Sequence, residues 1–137
     1  MIEEKDFLLR EIQRLTLLLK GLISKVEDLD LENINVGVNE IGEILKTEFG
    51  LSLNEISRVS NDDMLKIMQN LDETHFEKLI ELIFKLIKKI RNSNEIIDID
   101  ESELIKKNLF MINLLDENST TFSLERMNMK SVLQQYL

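Results

Sequence analysis

Apolar residues in this chain return at the helical interval almost without interruption, and no other feature constrains the fold as tightly. From Phe7 they fall at Leu8, Ile12, Leu15, Leu18, Leu19, Leu22, Ile23 and Val26, the i, i+3, i+4, i+7 recurrence of one buried helix face. Arg10, Glu11, Arg14 and Lys20 occupy the other side. The spacing predicts a first helix from about Glu4 to Lys25, with Gly21 its weak point. No segment sustains the period-2 alternation of a strand, and Ile96-Ile97-Asp98-Ile99 is the one strand-like fragment. The expectation is an all-α fold of six to seven helices in one compact bundle. The 137 residues fit a single domain and suffice for one continuous core.

Local signals place the other helices. Glu27-Asp28-Leu29-Asp30 is an acidic break, and a second helix follows over about Leu31 to Phe49 through Ile34, Val38, Ile41, Ile44 and Leu45. Gly50 reads as its left-handed C-cap, because glycine reaches positive φ without a Cβ clash. Three helix starts share one grammar, a hydroxyl with an acid three residues on: Ser52 with Glu55, Ser60 with Asp63, and Thr74 with Glu77. Leu51 with Ile56 and Val59 with Met64 stand where a hydrophobic staple would close around the first two. Short helices are expected near 53–59 and 61–70, and a long one near 75–91. Apolar residues from Phe76 to Ile90 cover more than half of the long helix, as in a central helix. Asn92-Ser93-Asn94 ends it. Helices over about 101–116 and 123–135 complete the chain, joined by the polar loop Asn118-Ser119-Thr120-Thr121.

Three segments also carry a resemblance: Asp6-Phe7-Leu8-Leu9-Arg10-Glu11-Ile12, Glu48-Phe49-Gly50-Leu51-Ser52-Leu53, and Val59-Ser60-Asn61-Asp62-Asp63-Met64-Leu65. In these the chain resembles an uncharacterised family of small helical bacterial proteins. The resemblance implies an N-terminal amphipathic helix, a run of short helices and a C-terminal helical hairpin similar to one tetratricopeptide repeat. It implies no activity. Such repeats place alanine and glycine where two helices approach closely. This chain has no alanine, and Leu51 to Leu137 contain no glycine. Its C-terminal helices are therefore expected to be only tetratricopeptide-like, held apart by large side chains. A single hairpin also lacks the three or more repeats that build a peptide groove.

Leucine and isoleucine supply 41 residues, whereas the side chains of catalysis and metal binding are scarce: one histidine, no cysteine and no tryptophan. The lack of cysteine removes disulfides, thiolate catalysis and cysteine metal sites together. No catalytic set, cofactor site or metal site emerges. His75 reads as a partly exposed residue at a helix start, because Glu73 and Thr74 are too close along the chain to converge on it as catalytic partners. Asp98, Asp100, Ser102 and Glu103 suggest a calcium loop superficially. Glu103 stands where the turn needs glycine, however, and Leu109 where the bidentate glutamate belongs. These acids read instead as loading a helix N-terminus.

Charge argues against two partner classes. A net charge of −9 repels phosphate backbones and anionic lipid. Lys78, Lys85, Lys88, Lys89 and Arg91 form a basic stripe, which Glu81 and the helix C-terminus explain structurally. Neither nucleic acid nor membrane is the expected partner. The Leu15–Ile23 run is broken by Lys20 and far shorter than the ~20 residues of a span. The acidic start at Glu3 and Glu4, where a secretory signal would be basic, leads to the expectation of a cytoplasmic chain.

The remaining signal is surplus apolar surface on the terminal helices. Leu9, Leu17 and Leu19 lie off the main stripe of the first helix, and Met127, Met129, Tyr136 and their neighbours are greasy for a chain end. Arg10 and Arg14 lie one turn apart beside them, Arg10 also four residues from Asp6, an i, i+4 ion pair. This is the pattern of an interface with a protein partner or with a second copy in a homodimer. Packing of both helices inside the domain explains it equally well. Two alternatives complete the set: an acidic inhibitor or immunity-type protein that neutralises a basic partner, and a hydrolase built on Glu40, Glu43 and Glu81.

Overall fold

The computed structural model describes the backbone of residues 2–137 and the side chains of residues 4–137. Seven α-helices follow in order: α1 (Ile2–Glu27), α2 (Ile34–Phe49), α3 (Leu53–Arg58), α4 (Asn61–Asn70), α5 (Glu73–Asn92), α6 (Glu101–Asn118) and α7 (Leu124–Tyr136). A 3₁₀ turn over Leu31–Asn33 leads into α2. The described residues contain no strand, and Ile96–Ile99 lie in the loop before α6. None of these helices is long and apolar enough to cross a membrane.

The boundaries are set by capping chemistry. Ser52 and Ser60 accept from the N–H groups of Glu55 at 3.2 Å and Asp63 at 3.1 Å, as the sequence grammar requires. Asp100 and Ser123 accept in the same way from Glu103 and Arg126. The third expected cap is corrected. Asp72, not Thr74, caps α5 by accepting from the Thr74 N–H at 2.9 Å, so the helix begins two residues earlier. Gly50 closes α2 with φ 78°, its N–H donating to Lys46 at 3.0 Å.

α5 is the central helix, with ten buried residues from His75 to Ile90. α1 runs parallel to it, since Ile12 lies beside His75 and Glu27 pairs with Lys85. α2 returns antiparallel along α1: Lys25 meets Glu40, Arg14 meets Glu48, and the buried Gly37 admits Leu29. A Cβ on Gly37 would stand 2.1 Å from Leu29 Cδ2, so glycine is what lets the connecting segment lie this close. On the other side α6 runs antiparallel to α5, with Asn108 under Ile80 and Arg91 paired to Glu101. α7 reverses again and so runs parallel to α5, with Arg126 at Glu77 and Arg91 at Tyr136.

Three polar groups on buried faces lock these contacts. The buried Arg126 donates through Nε to Asp116 at 2.7 Å, through Nη1 to Glu77 at 2.9 Å and through Nη2 to the Thr121 carbonyl at 3.2 Å, joining α5, α6 and α7. Lys107 reaches from α6 to the Val59 carbonyl and to Asn61 Oδ1 at 3.0 Å, fastening the α3–α4 corner. His75 is the third, and its expected exposure is corrected: it is buried. Its Nε2 lies 2.9 Å from the Ile12 carbonyl and 3.1 Å from Thr16 Oγ1, with Phe49 edge-on to the ring. A carbonyl can only accept, so Nε2 carries the proton. The histidine pins α1 to α5 rather than facing a reactive cleft.

Candidate functional site

The parallel pairing of α1 and α5 fixes where α1 overhangs. His75 is the third residue of α5, yet it meets α1 at Ile12. At 1.5 Å per residue, α1 therefore starts roughly 12 Å before α5 does. Along the packed part of α1 the buried stripe is Leu19, Leu22, Ile23 and Val26. Leu8 continues this stripe toward the N-terminus but lies past the start of α5. Phe7, Leu8 and Leu9 are consequently 67%, 59% and 57% exposed.

The same end of the bundle carries a second set. Because Arg126 pairs with Glu77, α7 begins level with the first turn of α5. Phe122, Leu124 and Met127, around the start of α7, are 78%, 59% and 48% exposed. Among the described residues, six of the eleven exposed large hydrophobic side chains thus lie at the end where α1, α5 and α7 begin, and Leu31, Val36, Ile96 and Leu137 lie at the opposite end.

The residues expected to form an interface divide accordingly. Leu9 and Met127 belong to this end. Leu17 is exposed but faces away from the core on the side of α1. Leu19 and Met129 are corrected: at 0% and 5% exposure they are core residues. Leu19 opens the i, i+3, i+4, i+7 set that packs on α5, and Met129 packs into the core from α7. Tyr136 lies at the opposite end, half-buried, with the Arg91 guanidinium 4.1 Å from its ring centre. Arg14 is committed to Glu11 at 2.6 Å and Glu48 at 2.8 Å. These bonds raise its pKa, and Arg14 in turn holds the Glu11 carboxyl below its usual range. Arg10 is exposed, and its expected pairing with Asp6 is not made; Asp6 is not within ion-pair distance. Phe7, Leu8, Phe122 and Leu124 were the residues that the pattern did not flag. Leu8 sits on the regular stripe and so reads as core, and Phe122 and Leu124 flank a polar loop.

The other chemistry-bearing groups are dispersed. Most of the basic stripe of α5 is engaged within the chain, Lys88 lying over the Phe84 ring. Lys85 bonds Glu27 and Glu81, which raises its own pKa and lowers that of Glu27; Lys89 donates to the Leu29 carbonyl at 3.4 Å, and Arg91 to Glu101. Glu40 pairs with Lys25 at 2.6 Å and Glu81 with Lys85 at 3.4 Å, so two of the three carboxylates of the hydrolase alternative stand in separate ion pairs. A cleft of ≈ 450 Å³ between α2, the start of α3 and the loop before α6 holds Glu43 and Asp98, both exposed, beside Asn39, Lys46 and Asn54. Asp100 serves as the cap of α6. Among the described residues no group of three or more His, Asp or Glu side chains is placed to hold a metal ion.

Fold and surface together define an all-α bundle with exposed apolar side chains where α1 and α7 begin. No family model, curated protein or solved structure matches the chain.

Proposed function

We propose that this protein is a non-catalytic helical interaction module that buries the apolar end of its bundle against another protein chain. The observation that carries this reading is the core stripe of α1 running past the start of α5 at Leu8, at the same end of the bundle as the exposed start of α7. Phe7, Leu8 and Leu9 on α1 and Phe122, Leu124 and Met127 around the start of α7 present two apolar patches, on the order of 700 Å² between them, each comparable to the largest patch of a typical monomer. Covering them is worth on the order of 15 kcal/mol gross, against roughly 4–15 kcal/mol of lost translational and rotational freedom. A stable complex is within that range.

The tetratricopeptide-like reading of the C-terminal helices belongs to the same proposal. α6 and α7 form an antiparallel hairpin closed by Arg126 and Asp116, and its outer face supplies Leu124 and Met127. The acidic-inhibitor alternative draws on net charge alone, and no surface feature adds to it.

Photo-crosslinking in the producing cell tests the reading. A benzophenone amino acid at Phe7 or at Phe122 should yield protein adducts. The same group at Ile96, which is 93% exposed at the opposite end, should not. An absence of adducts at both Phe7 and Phe122, or equal yield at Ile96, contradicts the proposal.

A further inference from the structure

We infer that the cleft along α2 binds a small aliphatic amine with two or more positive charges, held between Glu43 on one wall and Asp98 on the other. Three elements shape this cleft. Asn35 donates from α2 to the Glu95 carboxylate at 2.8 Å and to the Ile96 carbonyl at 2.9 Å, which pins the loop before α6 alongside the helix. The start of α3 forms the third side. Its buried Leu53, with buried Val38 and half-buried Ile97 and Ile99, gives the cleft an apolar lining. Gly42 lines it as well. A Cβ there would meet nothing nearer than 3.9 Å, so packing does not require glycine, and the missing side chain widens the cleft. The volume of ≈ 450 Å³ is that of a small-molecule site.

The polar groups select the ligand class. Lys46 is the one cation of the lining among the described residues, and it is committed to Glu55 at 2.8 Å and to the Gly50 carbonyl at 3.3 Å. Glu43 and Asp98 are exposed and form no ion pair among the described residues. With Glu55 and Glu95, which bond to lining residues, four carboxylates face one ammonium, so an anion is repelled and a cation attracted. A bare metal ion takes more oxygen or imidazole ligands than these, and no such group is assembled among the described residues. No aromatic side chain lines the cleft, which removes the stacking face a nucleobase would use. An ammonium group has three donors and no acceptor. It suits the two carboxylates and the amide oxygens of Asn39 and Asn54, whose side chains bond to nothing within the described chain. An aliphatic stem covers the apolar lining, as the stem of a lysine does. Two charges follow from the carboxylates' standing on different walls. Glu43 lies eight residues, about 12 Å, along α2 from Asn35, where the loop bearing Asp98 is pinned.

Amide chemical shifts of the whole chain, titrated with spermidine at physiological salt, test the inference. The shifts should saturate and concentrate at residues 35–54 and 96–99. Butanediol, an uncharged chain with the stem of putrescine, should shift nothing. Glu43→Gln and Asp98→Asn should each weaken spermidine binding about two- to fivefold, and the double variant roughly tenfold. Both side chains are exposed, so helicity by circular dichroism should not change. Glu125→Gln, which removes an exposed acid at the start of α7, should leave binding as it was. Equal weakening by Glu125→Gln, or shifts spread over the acidic surface without saturation, would overturn the inference in favour of general counter-ion attraction. An N-acetyl-lysine amide that bound as tightly as spermidine would overturn the two-charge site in favour of a single basic side chain of a partner protein. No shift in the cleft would overturn it outright.

Discussion

Asn108 is the one side chain at the α5–α6 contact whose polarity works against the fold, and replacing it with leucine should stabilise the protein. The residue is fully buried; its Nδ2 donates to the Ile80 carbonyl at 3.2 Å and its Oδ1 faces no donor. Turning the amide over does not help, since the oxygen would then oppose a carbonyl and the NH₂ would lose its partner. Ile80 lies in mid-helix, so its carbonyl keeps its helical partner when Asn108 is gone. The substitution removes a hydrogen bond worth about 0.5–1.5 kcal/mol and a stranded oxygen costing roughly 1–3 kcal/mol. Leucine has the same branching and heavy-atom count, and its extra apolar burial offsets some crowding from its larger methyl groups. The net expectation for Asn108→Leu is a gain of about 1–2 kcal/mol, or a Tm increase of roughly 3–7 °C for a chain of this length. Urea unfolding followed at 222 nm should show a higher midpoint with an unchanged slope. A loss of more than about 1 kcal/mol at constant slope would refute the reasoning, because it would mean the buried amide is fully satisfied.

Arg126→Met should cost about 1–3 kcal/mol and raise amide exchange along α7, since Asp116, Glu77 and the Thr121 carbonyl lose one shared donor. Arg126→Lys should not rescue it, because one ammonium cannot replace three directed guanidinium contacts. Gly21→Ala should stabilise α1 by roughly 0.5–1 kcal/mol, as nothing lies within 4 Å of the added Cβ, whereas Gly50→Ala should destabilise at φ 78° by about as much; thermal melts distinguish the signs. Acid should weaken the fold in a defined window. Hydrogen bonds from Arg14, Lys85 and Lys46 hold Glu11, Glu27 and Glu55 below the ordinary 4.5, so their contribution is complete above that value and lost as pH falls through the folded values. The urea midpoint should therefore fall below pH 4.5, and less steeply in Lys46→Met/Lys85→Met; an unchanged midpoint down to pH 3 would contradict this.

Helices were legible where local chemistry determines them. Ser52 and Ser60 cap as their spacing implies, and the apolar period together with the cap signals located all seven helices. Thr74 misled because Asp72, two residues earlier, is an equally good acceptor, and only the packed helix shows which is used. The buried polar groups were not legible. Periodicity assigns a polar side chain to solvent, yet His75, Lys107, Asn108 and Arg126 are buried by partners 28 to 63 residues away or across a helix reversal. The apolar end was half legible. Surplus grease on the terminal helices was visible in Leu9 and Met127, but which leucines are surplus depends on where α5 begins relative to α1. That register is set by His75 on Ile12 and is invisible in either segment alone.

Hydrogen–deuterium exchange of the chain, measured alone and in an extract of the producing cell, tests the central claim most directly. An uncovered helical arm of about two turns is marginal in water and exchanges quickly. The account predicts that amides of residues 5–10 and 122–127 gain protection together in the extract, while those of α5 do not change. Unchanged exchange of both segments in the extract would contradict it.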